Sequence, residues 1–301
     1  MLSARLPLLL LGLTAFLSVQ LLILVQTDRR YEGPRRPTRI GRPKLPTALI
    51  IGARKGGTRA LLDGIALHPK VRIVRRETHF FDANYTLGVE WYTKLMPKVL
   101  DDEIIIEKTP AYFSSEVAPH RVFELNQWMK LVIIVRHPTQ RAISDFTQVY
   151  HNKLDLNKTL PDLKKEAFRR TGGDVEELNT DYKPIRNSLY DVHMSNWLKY
   201  FPLRQFLILN GDVFRANPLR ELRRLETFLD LEPRISPTQL VFNPRKRFFC
   251  FRRDRSERCL GESKGRRHQR VDATLQSRLT DAFRPHNAKF FALVNRTFLW
   301  D

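Results

Sequence analysis

The chain has 301 residues, and its 42% hydrophobic content suits one or two globular domains with a sizeable core. Lys and Arg number 52 against 32 Asp and Glu, a formal charge of +20. A surface this positive excludes an indifferent partner and calls for a polyanion: nucleic acid, anionic membrane or sulfated polysaccharide.

The N-terminus narrows that choice. After a short tail over residues 1–5, Leu6 to Val25 carries no charge, and a membrane-spanning helix needs ~20 apolar residues. A cleavable signal peptide is the competing reading, but its small-x-small exit site is poor: Phe16 stands two before Ser18, and Leu13 two before Ala15. Residues 6–26 are therefore expected to be an uncleaved signal anchor. Arg5 on one flank and Arg29 with Arg30 on the other mark its orientation weakly. Residues 27–45, rich in Pro, Arg and Gly, read as an extended stem, and one folded domain is expected over 46–301. Behind a signal anchor, nucleic acid is in the wrong compartment.

Ala48 to Ile51, a short apolar run after Pro46, is expected to be a buried strand. Gly52 opens a turn, and Arg54, Lys55, Gly56, Gly57 and Thr58 lead into a helical pattern from Arg59 to Leu67. Strand, glycine loop and helix start make an anion cradle, because bare glycines let backbone N–H groups approach a phosphate. Lys55 precedes the glycine pair, whereas nucleoside-triphosphatase loops place lysine after the last glycine and a hydroxyl beside it for magnesium. A plain glycine turn packing helix on strand is the alternative.

Val71 to Val74, Glu103 to Ile106, Leu131 to Val135 and Phe206 to Leu209 read as further strands. Trp91 to Met96, Val122 to Gln127, a segment from Pro138 through Gln148, Leu189 to Tyr200 and Pro218 to Leu229 read as helices, with Asn152 to Tyr182 mixed helix and loop. Uniformly apolar strands alternating with helices predict an α/β domain whose central parallel sheet is flanked by helices. Its ligand belongs at the carboxyl ends of the strands.

Each chemical motif follows a strand. Glu77, His79 and Asp82 follow the second and Lys108 the third; if those strands neighbour the first, all converge on the glycine loop. A hydroxyl nucleophile needs a base such as Glu77, and a leaving phosphate needs cations such as Lys55 and Lys108. Taken alone, Glu77 with a lysine is an ordinary ion pair. Arg136 leaves the fourth strand and Ser144 lies about two helical turns on, so a forked and a hydroxyl donor suit one phosphate. Arg245 to Arg270 carries eleven Lys or Arg against three Asp or Glu, interleaved with Phe248, Phe249 and Phe251. A solvated face or a single-strand nucleic-acid surface would both read this way.

Cys250 and Cys259 read as a disulfide in a lumenal domain, or as free thiols in a cytosolic one. Asn84, Asn157 and Asn295 open N-x-[ST] glycosylation sites.

The stretches Ile50 to Leu62, Glu77-Thr-His-Phe-Phe-Asp82, Glu107-Lys-Thr-Pro-Ala-Tyr-Phe113, Arg141-Ala-Ile-Ser-Asp-Phe-Thr-Gln148, Phe249-Cys-Phe-Arg252, Ser263-Lys-Gly-Arg266 and Asn295-Arg-Thr-Phe298 together resemble the heparan sulfate glucosamine 3-O-sulfotransferases. The resemblance runs from about Leu45 to Trp300. It implies a P-loop-like sulfotransferase domain and sulfuryl transfer from 3′-phosphoadenosine 5′-phosphosulfate (PAPS), without metal, to the 3-hydroxyl of glucosamine in heparan sulfate. Glu77 is then the base, oriented by His79 and Asp82, and Lys55 and Lys108 stabilise the transfer. Arg54, Lys55, Gly56, Gly57 and Thr58 hold the 5′-phosphosulfate, and Arg136 and Ser144 the 3′-phosphate. Phe249 lies beside the cofactor, and Lys264, Gly265, Arg266, Arg267 and His268 close over it. Arg59, Gln148 and Lys264 face the saccharide.

The family also implies a Cys250–Cys259 disulfide and a single-pass type II Golgi membrane protein with a lumenal catalytic domain. Three positions depart from its pattern. Phe249 stands where many members have tyrosine; Arg75 replaces a residue acidic in one branch, and Gly261 replaces that branch's histidine. Two other readings stand beside this one: a heparan-binding Golgi protein without activity, and a sulfotransferase for another position or acceptor.

Overall fold

The computed structural model describes residues 41–170, 176–254, 256–261 and 268–300. The expected tail, the anchor over 6–26, most of the stem, and Lys264, Gly265, Arg266 and Arg267 lie outside the described residues. Among the described residues, no helix is long and apolar enough to cross a membrane. Arg42–Pro43, read as stem, pair instead with Lys98–Val99 in a short antiparallel ribbon.

Five parallel strands form the centre: β1 (Ala48–Gly52), β2 (Val71–Ile73), β3 (Ile104–Lys108), β4 (Lys130–Val135) and β5 (Phe206–Asn210). They lie in the order β2-β3-β1-β4-β5. The strands are apolar because both faces are covered. Leu49, Ile51, Leu131, Ile133 and Val135 face a cluster with Phe80, Tyr112, Trp197 and Phe290, while Ala48, Ile50, Val132 and Ile134 face Leu61, Ile65, Leu222 and Leu225. That is the period-two alternation of a strand written twice in apolar letters. Of the two strands expected beside β1, only β3 neighbours it; β2 pairs with β3.

The principal helices are α1 (Thr58–Ile65), α2 (Pro138–Asp155), α3 (Tyr190–Leu198), α4 (Pro218–Phe228) and α5 (Ala273–Val294). Helix α5, of 22 residues, has no counterpart among the expected elements. It buries Leu275, Leu279, Phe283, Phe290 and Val294, one stripe at helical spacing, and Asp272 caps its start by accepting from the Leu275 N–H at 2.8 Å. Phe290 packs on Tyr190 of α3, with ring centroids 5.5 Å apart, and stacks on Trp300.

The basic segment is also more regular than its charge suggested. It forms an antiparallel sheet of β6 (Leu240–Asn243), β7 (Phe248–Arg253) and β8 (Ser256–Arg258), in that order. A Cys250–Cys259 disulfide ties β7 to the residue after β8, with Cα atoms 4.3 Å apart. Phe251 inserts into the cluster under α1 and α4.

Phe290 joins α5 to the sheet, so Phe290→Ala should cost ~3–5 kcal/mol of stability in urea denaturation. Leu299→Ala, at a fully exposed position, should stay within ~0.5 kcal/mol. Equal losses at both positions would contradict this account of the core.

Candidate active site

The site begins where β1 ends. The Ala53 N–H donates to the Ile134 carbonyl at 3.0 Å, and the Gly56 N–H to the Ala53 carbonyl at 2.8 Å, folding the loop against β4. A Cβ on Gly56 would lie 2.1 Å from the Ile134 oxygen, and Gly57 has φ 115°; both positions require glycine. Lys55, between them and the strand, adopts φ 67°. A third backbone closes in from β5: a Cβ on Gly211 would lie 2.6 Å from the Gly56 carbonyl oxygen.

Two cavities meet at this loop. One, of about 790 Å³, is lined by Lys55, Gly56, Gly57, Thr58, Arg136, Ser144, Phe249 and His268. Arg215, Arg245, Lys246 and Arg247 add further cations, and among the described residues no carboxylate lines it. The other, of about 710 Å³, is lined by Arg54, Arg75, Glu77, His79, Lys108, Arg258 and Gly261. Lys55, Thr58, Arg59, Gln148 and Leu260 line both.

Glu77 faces the second cavity and accepts a hydrogen bond from Lys108 Nζ, whose side chain is only 4% exposed against 39% for Glu77. The carboxylate meets solvent with the ammonium behind it. His79 Nε2 lies 3.7 Å from Glu77 Oε2, and His79 Nδ1 2.9 Å from Asp82 Oδ2. That contact assigns the proton to Nδ1, donating to Asp82, and leaves Nε2 turned to Glu77. Asp82 lines neither cavity and stands behind the ring.

A buried layer supports these groups. The Thr78 N–H donates to Thr109 Oγ1 at 3.1 Å, and Thr109 Oγ1 donates to Glu107 Oε1 at 2.6 Å. Glu107 is wholly buried, and burial pushes its carboxyl up to about 7 against the hydrogen bonds of Thr109 and Thr78 and the charge of Lys108. Burial also lowers His268, helped by the charges of Arg136, Lys55 and Arg215. Arg136 Nε lies 3.3 Å from Asp212 Oδ1, and its carbonyl accepts from Tyr190 OH at 3.1 Å.

Other expected residues have partners inside the chain. Arg54 Nε pairs with Asp145 Oδ1 at 2.8 Å. Arg59 pairs with Asp63 at 2.9 Å and donates to the Arg75 carbonyl, while Gln148 donates to Asn152. Asn157 and Asn295 are exposed, whereas Asn84 donates its amide to the Thr78 carbonyl at 2.9 Å. Among residues the sequence did not single out, Arg215 has no local signal beyond its place just after a strand. Arg245, Lys246 and Arg247 were visible only as part of a charge run.

Glu107 leaves a pH signature. Its folded carboxyl titrates near 7 against an ordinary 4.5, so between these values the folded chain keeps a proton that the unfolded chain has lost. This group's contribution is fully present below the ordinary value and is lost as pH rises through about 7. Glu107→Gln should therefore flatten the fall in melting temperature across that window. An unchanged slope by calorimetry would assign the effect elsewhere.

A sulfotransferase domain family matches residues 45–291. The chain is 47% identical over 260 residues to heparan sulfate glucosamine 3-O-sulfotransferase 5 of Mus musculus, covering 85% of this chain and 74% of that one. It is 41% identical over 282 residues to heparan sulfate glucosamine 3-O-sulfotransferase 6 of Mus musculus, covering 91% and 80%. Its fold is similar to the crystal structure of a sulfotransferase from Alicyclobacillus acidocaldarius, with a TM-score of 0.62 at 18% identity over 85% of this chain and 98% of that one. The chain belongs to the sulfotransferase family, and within it to the heparan sulfate glucosamine 3-O-sulfotransferases.

Proposed function

We propose that this enzyme transfers a sulfuryl group from PAPS to the 3-hydroxyl of glucosamine in heparan sulfate. The observation that carries the reading is the junction of the two cavities. Glu77 and Lys108 face one of them, and Lys55 lines both. The larger cavity fits the donor's chemistry: a cradle of two obligatory glycines, cations from four segments, and no carboxylate among the described lining residues.

When bound, the donor supplies an activated sulfuryl group and a bisphosphate leaving group. Lys55, Gly56, Gly57 and Thr58 would hold its 5′ end, Arg136 and Ser144 its 3′-phosphate, with Phe249 beside the base. Glu77 takes the hydroxyl proton as that oxygen bonds to sulfur and the sulfur–oxygen bond to the 5′-phosphate breaks. Lys108 fixes the carboxylate, and with Lys55 it offsets the negative charge gathering on the departing phosphate. Arg59 and Gln148 border the acceptor. The reading uses no metal ion, because side-chain cations carry the charge work. Phe249, lacking the tyrosine hydroxyl, contributes a ring face without a donor.

We place the chain in the Golgi membrane as a single-pass type II protein, held by residues 6–26 with its catalytic domain lumenal. The uncharged N-terminal run, the Cys250–Cys259 disulfide and the exposed Asn157 and Asn295 support this placement. The full chain should resist carbonate extraction from membranes; release into the supernatant would remove the anchor.

Incubation with sulfur-labelled donor and heparan sulfate, followed by disaccharide mapping, should place label on the glucosamine 3-hydroxyl. Label at the 6-hydroxyl would make it a different sulfotransferase, and binding without label an inactive heparan-binding protein. Glu77→Gln should lower kcat by ~10²–10⁴ while leaving affinity for the bisphosphate product largely intact. Unimpaired turnover in that variant would remove Glu77 as the base.

A further inference from the structure

Helix α2 carries two buried charged side chains, Arg141 and Asp145, that line neither cavity. Arg141 is fully buried and distributes its guanidinium over four partners: Ser188 Oγ at 2.7 Å, the Pro184 carbonyl, Asp145 Oδ2 at 2.9 Å, and the Arg54 carbonyl at 3.2 Å. Asp145, with 2% of its side chain exposed, accepts from Arg54 Nε at 2.8 Å through its other oxygen. Burial acts to raise the Asp145 carboxyl, but Arg141 and Arg54 outweigh it and hold it below the usual carboxylate range, so the chain of charges stays ionised. The residue immediately before Lys55 is therefore gripped twice, by carbonyl and by side chain.

The same helix bears the second anion site. Ser144 adjoins Asp145 in sequence, and Arg136 stands just before the start of α2 at Pro138. Lys55 itself adopts a left-handed conformation that a lysine takes only when its surroundings enforce it. A planar, five-donor guanidinium can reach four acceptors on three segments at once; an ammonium with the same charge cannot.

We propose that Arg141 and Asp145 are positioning residues that set the distance between the Lys55 loop and the Arg136–Ser144 site, so that a ligand with phosphates at both its 3′ and 5′ positions binds as a chelate. The inference rests on the reading of the larger cavity as the donor site. Two anion sites held rigidly apart give the second phosphate a high effective concentration, and loosening their tie removes that gain. A ligand that engages only one site is spared.

The test is calorimetric binding of adenosine 3′,5′-bisphosphate and adenosine 5′-monophosphate to the full chain, to Arg141→Lys and to Asp145→Asn. Each variant should lose at least ~10-fold in bisphosphate affinity and stay within ~2-fold for the monophosphate. Equal weakening of both ligands, or no weakening, overturns the inference, since a merely structural pair would not separate them. If the unaltered chain shows no preference for the bisphosphate, the donor-site reading itself fails. Should both variants unfold, Ser188→Ala, which removes one acceptor of the Arg141 guanidinium and lines neither cavity, is read by the same ratio of affinities.

Discussion

Everything at this site depends on how closely the backbone at Gly56 lies against β4. With the Ile134 carbonyl oxygen occupying the place of a side chain, the loop cannot move away from the strand without breaking the Ala53 to Ile134 hydrogen bond. The approach of Gly211 from β5 closes the other side. Three strand ends thus present backbone in one small volume, and the charged side chains are arranged around it. A sheet of this kind concentrates ligand chemistry at its carboxyl edge because only there do loops from several strands meet.

The second organising fact is electrostatic segregation. Cations line the larger cavity with no carboxylate among the described lining residues, while Glu77 lines the smaller one. A carboxylate set among those cations would cancel part of their field. Here Lys108 takes the Glu77 carboxylate from behind and Lys55 stands at the boundary. The arrangement sets a half-exposed carboxylate beside a cavity lined by cations.

Much of this was legible in residue order. The apolar runs at 48–51 and 131–135 fall within β1 and β4, and the glycine loop expected after the first strand does follow β1 and turn into α1. Other parts were hidden for physical reasons. In α5, Pro285 and several charged residues interrupt a stripe that becomes visible only when Leu275, Leu279, Phe283 and Phe290 are seen sharing a face. In β6, β7 and β8 the arginines masked a strand pattern. Strand order is a matter of pairing, not of local pattern, so β2 stood one place further from β1 than expected. Arg215 reaches the cavity through the approach of Gly211, which no spacing rule reveals. The buried tie from Arg141 to Arg54 spans 87 residues, and such partners are chosen by the folded chain.

The stapled hairpin has a further consequence. Arg258, Cys259, Leu260 and Gly261 wall the smaller cavity, while Phe249, Phe251 and Leu260 wall the larger. One covalent cross-link therefore braces a partition common to two chambers. Opening it would free β7 from the residues that follow β8, and so loosen a wall of each cavity at one stroke.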